Sequence, residues 1–141
     1  MPYVVIDTNV LTSACIGSGA SSKVIELCLL KKLTPVLSAS LFLEYRDVLS
    51  RAAIFDRARL DSLERNLLLR AFISTCRWHD IYFSWRPNLV DEADNHVFEL
   101  AVAANGATIV TNNLRDFRSM DLKFPDIVIE TPQSLLQRMM P

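Results

Sequence analysis

Short apolar runs alternate with longer amphipathic stretches along this chain of 141 residues. The short runs are rich in β-branched residues and are typical of buried strands. Because strands and helices alternate, the pattern predicts an α/β fold with right-handed crossovers and a mainly parallel sheet that is covered on both faces. The predicted strands are residues 3–6, 34–37, 107–110 and 127–129, with a further candidate at 81–83.

The helices are predicted from apolar positions at helical spacing and from their capping residues. The first is capped by Ser21 or Ser22 and runs to about Lys32. The second opens at residues 38–40, and the last opens at Thr131 and Pro132 with a capping residue followed by proline. The apolar face of the second helix consists of Leu41, Tyr45, Val48 and Leu49.

Two further helices complete the predicted alternation. Asp56 is predicted to cap a long amphipathic helix that extends to about Thr75, with most of its arginines on the solvated side. Its predicted inner face consists of Leu60, Leu63, Leu67 and Ala71, and the arginines are Arg57, Arg59, Arg65 and Arg70. Another helix begins around residues 91–96 and ends at the stop signal Asn105-Gly106.

The composition predicts one soluble domain spanning residues 1–141. Half of the residues are hydrophobic and 22% are charged, as in ordinary globular enzymes. The apolar runs are shorter than the ~20 residues of a membrane helix, and the first residues lead into a strand instead of a signal peptide, so we expect a cytoplasmic protein without membrane contact. The three cysteines lack the close pairing of zinc or redox motifs.

Acidic side chains recur where the predicted strands end or where helices begin. Asp7 ends the first strand, Glu44 lies one turn inside the second helix, Asp94 lies near the start of a later helix, and Asp116 follows the strand 107–110. Because ligands of parallel α/β sheets bind beyond the carboxyl ends of the strands, we expect these acids to converge.

Clustered carboxylates need a cation. Glu44 lies among apolar positions of its helix, where burial without a partner is costly. Oxygen ligands suit Mg²⁺ or Mn²⁺, so the acids predict a divalent metal site. Alternatives remain for each acid: Asp7 as a strand-end cap, Glu44 paired with a buried arginine, Asp91 in place of Asp94, and Asp116 in a structural turn.

The order of these motifs carries a family resemblance. Residues 5–9 read Val-Ile-Asp-Thr-Asn, residues 38–40 with Glu44 follow, then come residues 91–95, Asp-Glu-Ala-Asp-Asn, and residues 109–117, Ile-Val-Thr-Asn-Asn-Leu-Arg-Asp-Phe. Together they cover nearly the whole chain. The chain resembles PIN-domain nucleases, and particularly the VapC-like toxins of toxin–antitoxin systems.

The resemblance implies a three-layer α/β/α sandwich with four or five strands in a mainly parallel sheet. It also implies a Mg²⁺- or Mn²⁺-dependent endoribonuclease in which Asp7, Glu44 and Asp94 match the principal acids. Many PIN domains have an acid where this chain has Asn113, and we favour Asp116 as the fourth acid. The remaining implied site residues are Thr8, Asn9, Thr111 and Asn113, which would support the site through hydrogen bonds. The implied partners are an RNA substrate, a small antitoxin and a second copy of the chain.

The net charge of −1 offers no global basic field, so RNA must be attracted by local groups. Arg115 is the first candidate for an RNA contact. His79 and His96 are interpreted as ordinary polar residues, and Trp78 and Trp85 either stack bases or pack in the core. Two rival functions stay open: a catalytically silent PIN fold that binds RNA or protein, and hydrolysis of DNA or a small phosphate ester.

Overall fold

The computed structural model describes residues 2–80, 92–115, 117 and 126–139, with only the backbone for residues 92–95. All strand pairs of its five-stranded sheet are parallel, and the strand order is β3-β2-β1-β4-β5. The predicted α/β class and parallel sheet are therefore confirmed. The strands are β1 (Tyr3–Ile6), β2 (Thr34–Leu37), β3 (Arg77–Trp78), β4 (Thr108–Val110) and β5 (Ile129–Glu130).

Six α-helices in the described residues connect and flank these strands. They are α1 (Thr8–Ile16), α2 (Ala20–Leu29), α3 (Ala39–Leu49), α4 (Ser62–Thr75), α5 (Glu92–Ala103) and α6 (Pro132–Met139), with a 3-10 helix at Ala52–Phe55. Apolar side chains of the central strand β1 are almost completely buried, with Val5 and Ile6 at 0% exposure. The central position of β1 therefore fixes the residue that follows it, Asp7, in the middle of the carboxyl edge of the sheet.

Several predicted helix ends are confirmed. Ser38 Oγ accepts a hydrogen bond from the Leu41 amide and caps α3. Thr131 Oγ1 accepts from the Ser134 amide at the start of α6. Beyond α5, Asn105 and Gly106 have φ values of 60° and 87°, the left-handed conformation expected after a helix.

The predicted limits of α2 were wrong. The helix follows Gly19 without a side-chain cap, so neither Ser21 nor Ser22 caps it. It ends at Leu29, and Lys31 adopts a φ of 63° as the chain turns toward β2. Ser21 is instead inside the first turn, where its hydroxyl accepts a hydrogen bond from the Asn112 side chain.

The predicted cap and inner face of α4 were also wrong. Asp61, not Asp56, caps the helix, and it forms a reciprocal capping box with Glu64. Leu63 and Leu67 are 67% and 54% exposed, whereas Arg65 is buried. The guanidinium of Arg65 can be buried because backbone carbonyls accept its hydrogen bonds, and it thereby replaces leucine on the inner face.

One strand prediction falls outside the described residues, and another shifts along the chain. The candidate strand at 81–83 lies outside the described residues, and the described strand of this region is Arg77–Trp78. The last strand is Ile129–Glu130 instead of 127–129. Among the described residues, the helices are too short or too polar to cross a membrane.

Candidate active site

Asp7 is the centre of the site. It follows β1 and caps α1, and its Oδ1 accepts a hydrogen bond from the Thr8 amide at 2.8 Å. Its Oδ2 accepts from Thr111 Oγ1 at 2.7 Å and from Asn9 Nδ2 at 3.2 Å. The residue is only 6% exposed. Asp7 is therefore a helix cap whose carboxylate is also fixed by two side chains. Its observed role as a cap is compatible with its expected role as a metal ligand.

Glu44 reaches the same place from α3. Thr8 Oγ1 donates a hydrogen bond to Glu44 Oε2 at 2.6 Å, so Thr8 touches both acids, through its amide and through its hydroxyl. His96 Nε2 on α5 lies 3.4 Å from Glu44 Oε2. Three elements, α1, α3 and α5, thus meet at the carboxyl end of β1.

His96 is a site residue that the sequence interpretation left on the surface. Its side chain is 21% exposed, and its Nδ1 is buried without a hydrogen-bond partner among the described residues. A lone histidine gives no sequence signal for such a contact. Its spacing of two residues after Asp94 was the only available indication.

The tyrosine that anchors the end of β1 was also missed. Tyr45 is completely buried, and its hydroxyl donates a hydrogen bond to the carbonyl of Ile6, directly before Asp7. Its ring packs edge-on against Phe72 of α4. The sequence placed Tyr45 on an apolar stripe, but the polar end of the ring fixes the backbone from which Asp7 projects.

A network of amides and hydroxyls holds the loop after β4 against α1 and α2. Asn112 donates from its backbone to Asn9 Oδ1 at 3.0 Å and from its side chain to Ser21 Oγ at 3.1 Å and Ser13 Oγ at 3.3 Å. The Asn113 amide donates to Thr111 Oγ1 at 3.0 Å. The four expected supporting residues therefore lie at the site, joined by Asn112, which the sequence did not single out.

The two acids have opposite pKa shifts. Burial raises the pKa of Asp7, and the negative charge of Glu44 adds to this, whereas the hydrogen bond from Thr111 opposes it. Burial would also raise the pKa of Glu44, but contacts with His96 and Thr8 outweigh burial and lower it. Glu44 is therefore held as a carboxylate, and Asp7 carries the unfavourable charge of the pair.

These shifts predict opposite effects of pH on the stability of the metal-free protein. The native state retains the Asp7 proton above the ordinary pKa of 3.8, so the free energy of unfolding falls as pH rises through that window. Glu44 adds stability above its ordinary pKa of 4.5, and this stability is lost as pH falls through the lowered pKa. A tenfold difference in proton affinity between the folded and unfolded states corresponds to about 1.4 kcal/mol.

Urea unfolding at a series of pH values tests this prediction. Relative to wild type, Asp7→Asn should gain stability as pH rises from acid to neutral, and Glu44→Gln should lose it. Parallel pH profiles for the wild type and the two variants would contradict the shifts.

The sequence comparison decides the family. Residues 3–115 match the family model described as PIN domain. The chain belongs to the PIN domain family. Among curated proteins, none matches it.

A solved structure supports the fold of this PIN domain. The chain is similar to one chain of a crystal structure of VapBC2 from Rickettsia felis bound to a DNA fragment from their promoter. The TM-score is 0.58 at 19% sequence identity, over 93% of this chain and 98% of the other. This likeness confirms the fold, a three-layer α/β/α sandwich.

The structure does not describe the side chains of the other acids that we expect at the site. The backbone of Asp94 lies in the first turn of α5, but its side chain is outside the described part, as are Asp91 and Asp116. Arg115 is described and exposed. The roles of Asp94, Asp116 and Arg115 therefore stay predictions.

Asp7 and Glu44 fit a divalent ion. No group of three or more His, Cys, Asp or Glu side chains within the described residues could by itself hold a metal. Yet Asp7 is a buried carboxylate beside a second carboxylate, and no lysine or arginine with a described side chain lies within ion-pair distance of it. Two hard oxygen donors, of which Asp7 lies beyond ion-pair distance of the described lysines and arginines, are suitable ligands for Mg²⁺ or Mn²⁺.

Proposed function

We propose that this PIN domain is a metal-dependent endoribonuclease that hydrolyses RNA phosphodiester bonds and is the toxin of a toxin–antitoxin system. The observation that carries the proposal is the meeting of Asp7 and Glu44 through Thr8 at the carboxyl edge of the sheet. A buried carboxylate such as Asp7 beside the partly buried carboxylate of Glu44 is costly to fold, and a bound catalytic ion would offset this cost.

Asp7, Glu44, Asp94 and Asp116 would hold Mg²⁺ or Mn²⁺. A divalent ion bound there supplies Lewis-acid polarisation of the scissile phosphate and lowers the pKa of the attacking water. Asp7 and Glu44 project from different elements, so their relative position depends on the contacts around them.

The chain's own residues orient these acids. Thr8 bridges Asp7 and Glu44 through its amide and its hydroxyl. Thr111 and Asn9 donate hydrogen bonds to Oδ2 of Asp7. His96 lies beside Glu44. Asn113 ties the loop after β4 to Thr111. Arg115, which is exposed in the same loop, would contact the RNA backbone.

The partners follow from the same proposal. The solved structure with a similar fold is a VapBC2 complex, and this supports a small antitoxin as the protein that binds and inhibits this chain. A homodimer and a location in the cytoplasm are proposed with it.

The test is turnover by the purified protein with Mn²⁺, with Mg²⁺ and with a chelator. The substrates are single-stranded RNA, DNA of the same sequence and a small phosphate diester. We expect cleavage of RNA only, and only with the metal. Cleavage of DNA or of the small ester in preference to RNA would favour the other hydrolase, and absence of all turnover with tight RNA binding would favour the silent PIN fold.

A further inference from the structure

Trp78 is a large aromatic residue that is 53% exposed at the carboxyl end of β3. It lies opposite Leu37 of β2, and the register of β1 with β2, continued by two residues, sets Ile6 opposite Leu37. Adjacent strands are about 4.8 Å apart, so the end of β3 lies about 10 Å along the sheet edge from the end of β1. Trp78 therefore occupies the edge that carries Asp7.

The ring of Trp78 is oriented by Phe42 of α3. The two ring centroids are 5.7 Å apart and their planes are inclined by 57°. Phe42 precedes Glu44 by two residues, which places the two side chains on nearly opposite sides of the helix. The start of α3 thus has Glu44 on one flank and, on the other, an aromatic pair formed by the exposed Trp78 and the partly buried Phe42.

A groove continues from Phe42 between α3 and α4. It encloses about 390 Å³, and it is lined by the apolar side chains of Phe42, Leu69 and Ile73 together with Arg46, Asn66, Arg70 and Ser74. The guanidinium of Arg46 lies 5.6 Å from the centre of the Phe42 ring. In the part of the chain that the structure describes, neither Arg46 nor Arg70 has an acidic partner within ion-pair distance.

An exposed aromatic ring followed by cations without acidic partners is characteristic of surfaces that bind single-stranded nucleic acids. Bases of any sequence stack on the rings, and the cations follow the phosphates. A protein partner would use the aromatic rings, but it would leave the charge of the arginines without a counterpart unless it were acidic. RNA satisfies both features at once.

We propose that Trp78, Phe42 and the α3–α4 groove bind the single-stranded flank of the RNA substrate, next to the cleavage site. A base near the scissile phosphate stacks on Trp78, and Arg46 and Arg70 contact the phosphates of the nucleotides that follow. The proposal rests on the proposed function for its ligand, because RNA is the substrate in both.

Binding is measured without cleavage, in an Asp7→Asn, Trp85→Phe background, so that Trp78 is the one fluorescent tryptophan. The probe is an oligouridylate of about 12 nucleotides, within the usual size range of single-strand sites. We expect the RNA to quench Trp78 fluorescence. Trp78→Ala should weaken affinity about ten-fold, as measured by anisotropy of labelled RNA, and Trp78→Phe should restore most of it because a ring remains.

Two controls separate stacking from other effects. Tyr3 is an exposed aromatic residue at the opposite end of the central strand, and Tyr3→Ala should leave RNA affinity unchanged. An abasic ribose-phosphate chain of the same length should bind the Trp78→Ala variant and its parent equally. The Arg46→Ala, Arg70→Ala double variant should lower the slope of log affinity against log salt by about 1.4 if each arginine contacts one phosphate.

Unchanged RNA affinity in both the Trp78→Ala and the double arginine variants would overturn the subsite. A shift to a smaller species on size exclusion, with RNA affinity unchanged, would overturn it in favour of a contact between two copies of the chain. Trp78-dependent binding in a protein that cleaves no RNA would support the subsite and refute the nuclease. Metal-dependent cleavage whose KM is the same for wild type and Trp78→Ala would support the nuclease and refute the subsite.

Discussion

Replacing Asp7 by Asn is expected to reduce metal-dependent RNA cleavage by about a thousand-fold or more. Lewis-acid catalysis supplies several kcal/mol of transition-state stabilisation, and about 4 kcal/mol corresponds to a thousand-fold in rate. Asn retains an oxygen that can accept the Thr8 amide, so the cap of α1 is preserved. The variant therefore removes one charge at the meeting point of α1, α3 and α5 with little change in the fold.

Asp47→Asn is the matched control for this experiment. Asp47 lies on α3 three residues after Glu44, and its side chain is 63% exposed in an ion pair with Arg51. The control should cleave RNA at the wild-type rate. Wild-type protein and the control should also show a rise in Tm with Mn²⁺, and Asp7→Asn should lose that rise.

Cleavage and Tm together make the result decisive. Full cleavage by a pure Asp7→Asn preparation would refute the assignment of the site. If Asp7→Asn loses cleavage but its Tm still rises with Mn²⁺, the ion binds away from Asp7. The assignment of Asp7 as a metal ligand would then be wrong, whereas the proposed nuclease activity of the wild type would stand. Circular dichroism identical to wild type shows that the loss of activity is not a loss of fold.

Replacing Arg65 by Ala is expected to lower the free energy of unfolding by about 3 kcal/mol. The side chain is 6% exposed, and its hydrogen bonds go to the carbonyls of Leu49 at 3.2 Å and Leu60 at 3.3 Å. Its guanidinium lies 4.2 Å from the centre of the Phe55 ring. Hydrogen bonds to charged groups contribute about 1.5–3 kcal/mol each, and the cation–π contact adds about 1 kcal/mol, part of which is offset by the desolvation of the charge.

Arg70→Ala is the control for stability, because Arg70 is on the same helix and exposed. Urea unfolding should show a change within about 0.5 kcal/mol for this variant. Equal losses for the two arginines would mean that the buried contacts of Arg65 contribute nothing beyond helix propensity.

The order of strands and helices was predictable because burial on both faces leaves a local signal. The runs at residues 3–6 and 34–37 are continuously apolar or β-branched, and the structure has strands with the same limits. Helix caps with local chemistry were also predictable, since Ser38 and Thr131 need only the amides of their own first turn. The cap of α4 was missed although a local signal marks it: Glu64 follows Asp61 by three residues, as in a capping box, whereas Arg59 stands three residues after Asp56.

The acids Asp7 and Glu44 could be nominated from the sequence, since each follows or interrupts an apolar pattern. Their contact could not, because Glu44 reaches Thr8 across 36 positions of the chain and depends on how α3 crosses α1. His96 and Tyr45 carry no local mark of their roles. One depends on the approach of α5 to α3, and the other on the distance from α3 to the end of β1.

The sequence by itself determined the alternation of elements, the parallel sheet and the edge at which Asp7 and Glu44 meet, because hydrophobic period and strand-end polarity are local properties. The tertiary structure decided which side chains meet at that edge. It placed His96 beside Glu44, joined Asp7 to Thr111 and turned Arg65 into the core. These contacts depend on the packing of elements that are distant in sequence, where small rotations of a helix exchange a buried side chain for an exposed one.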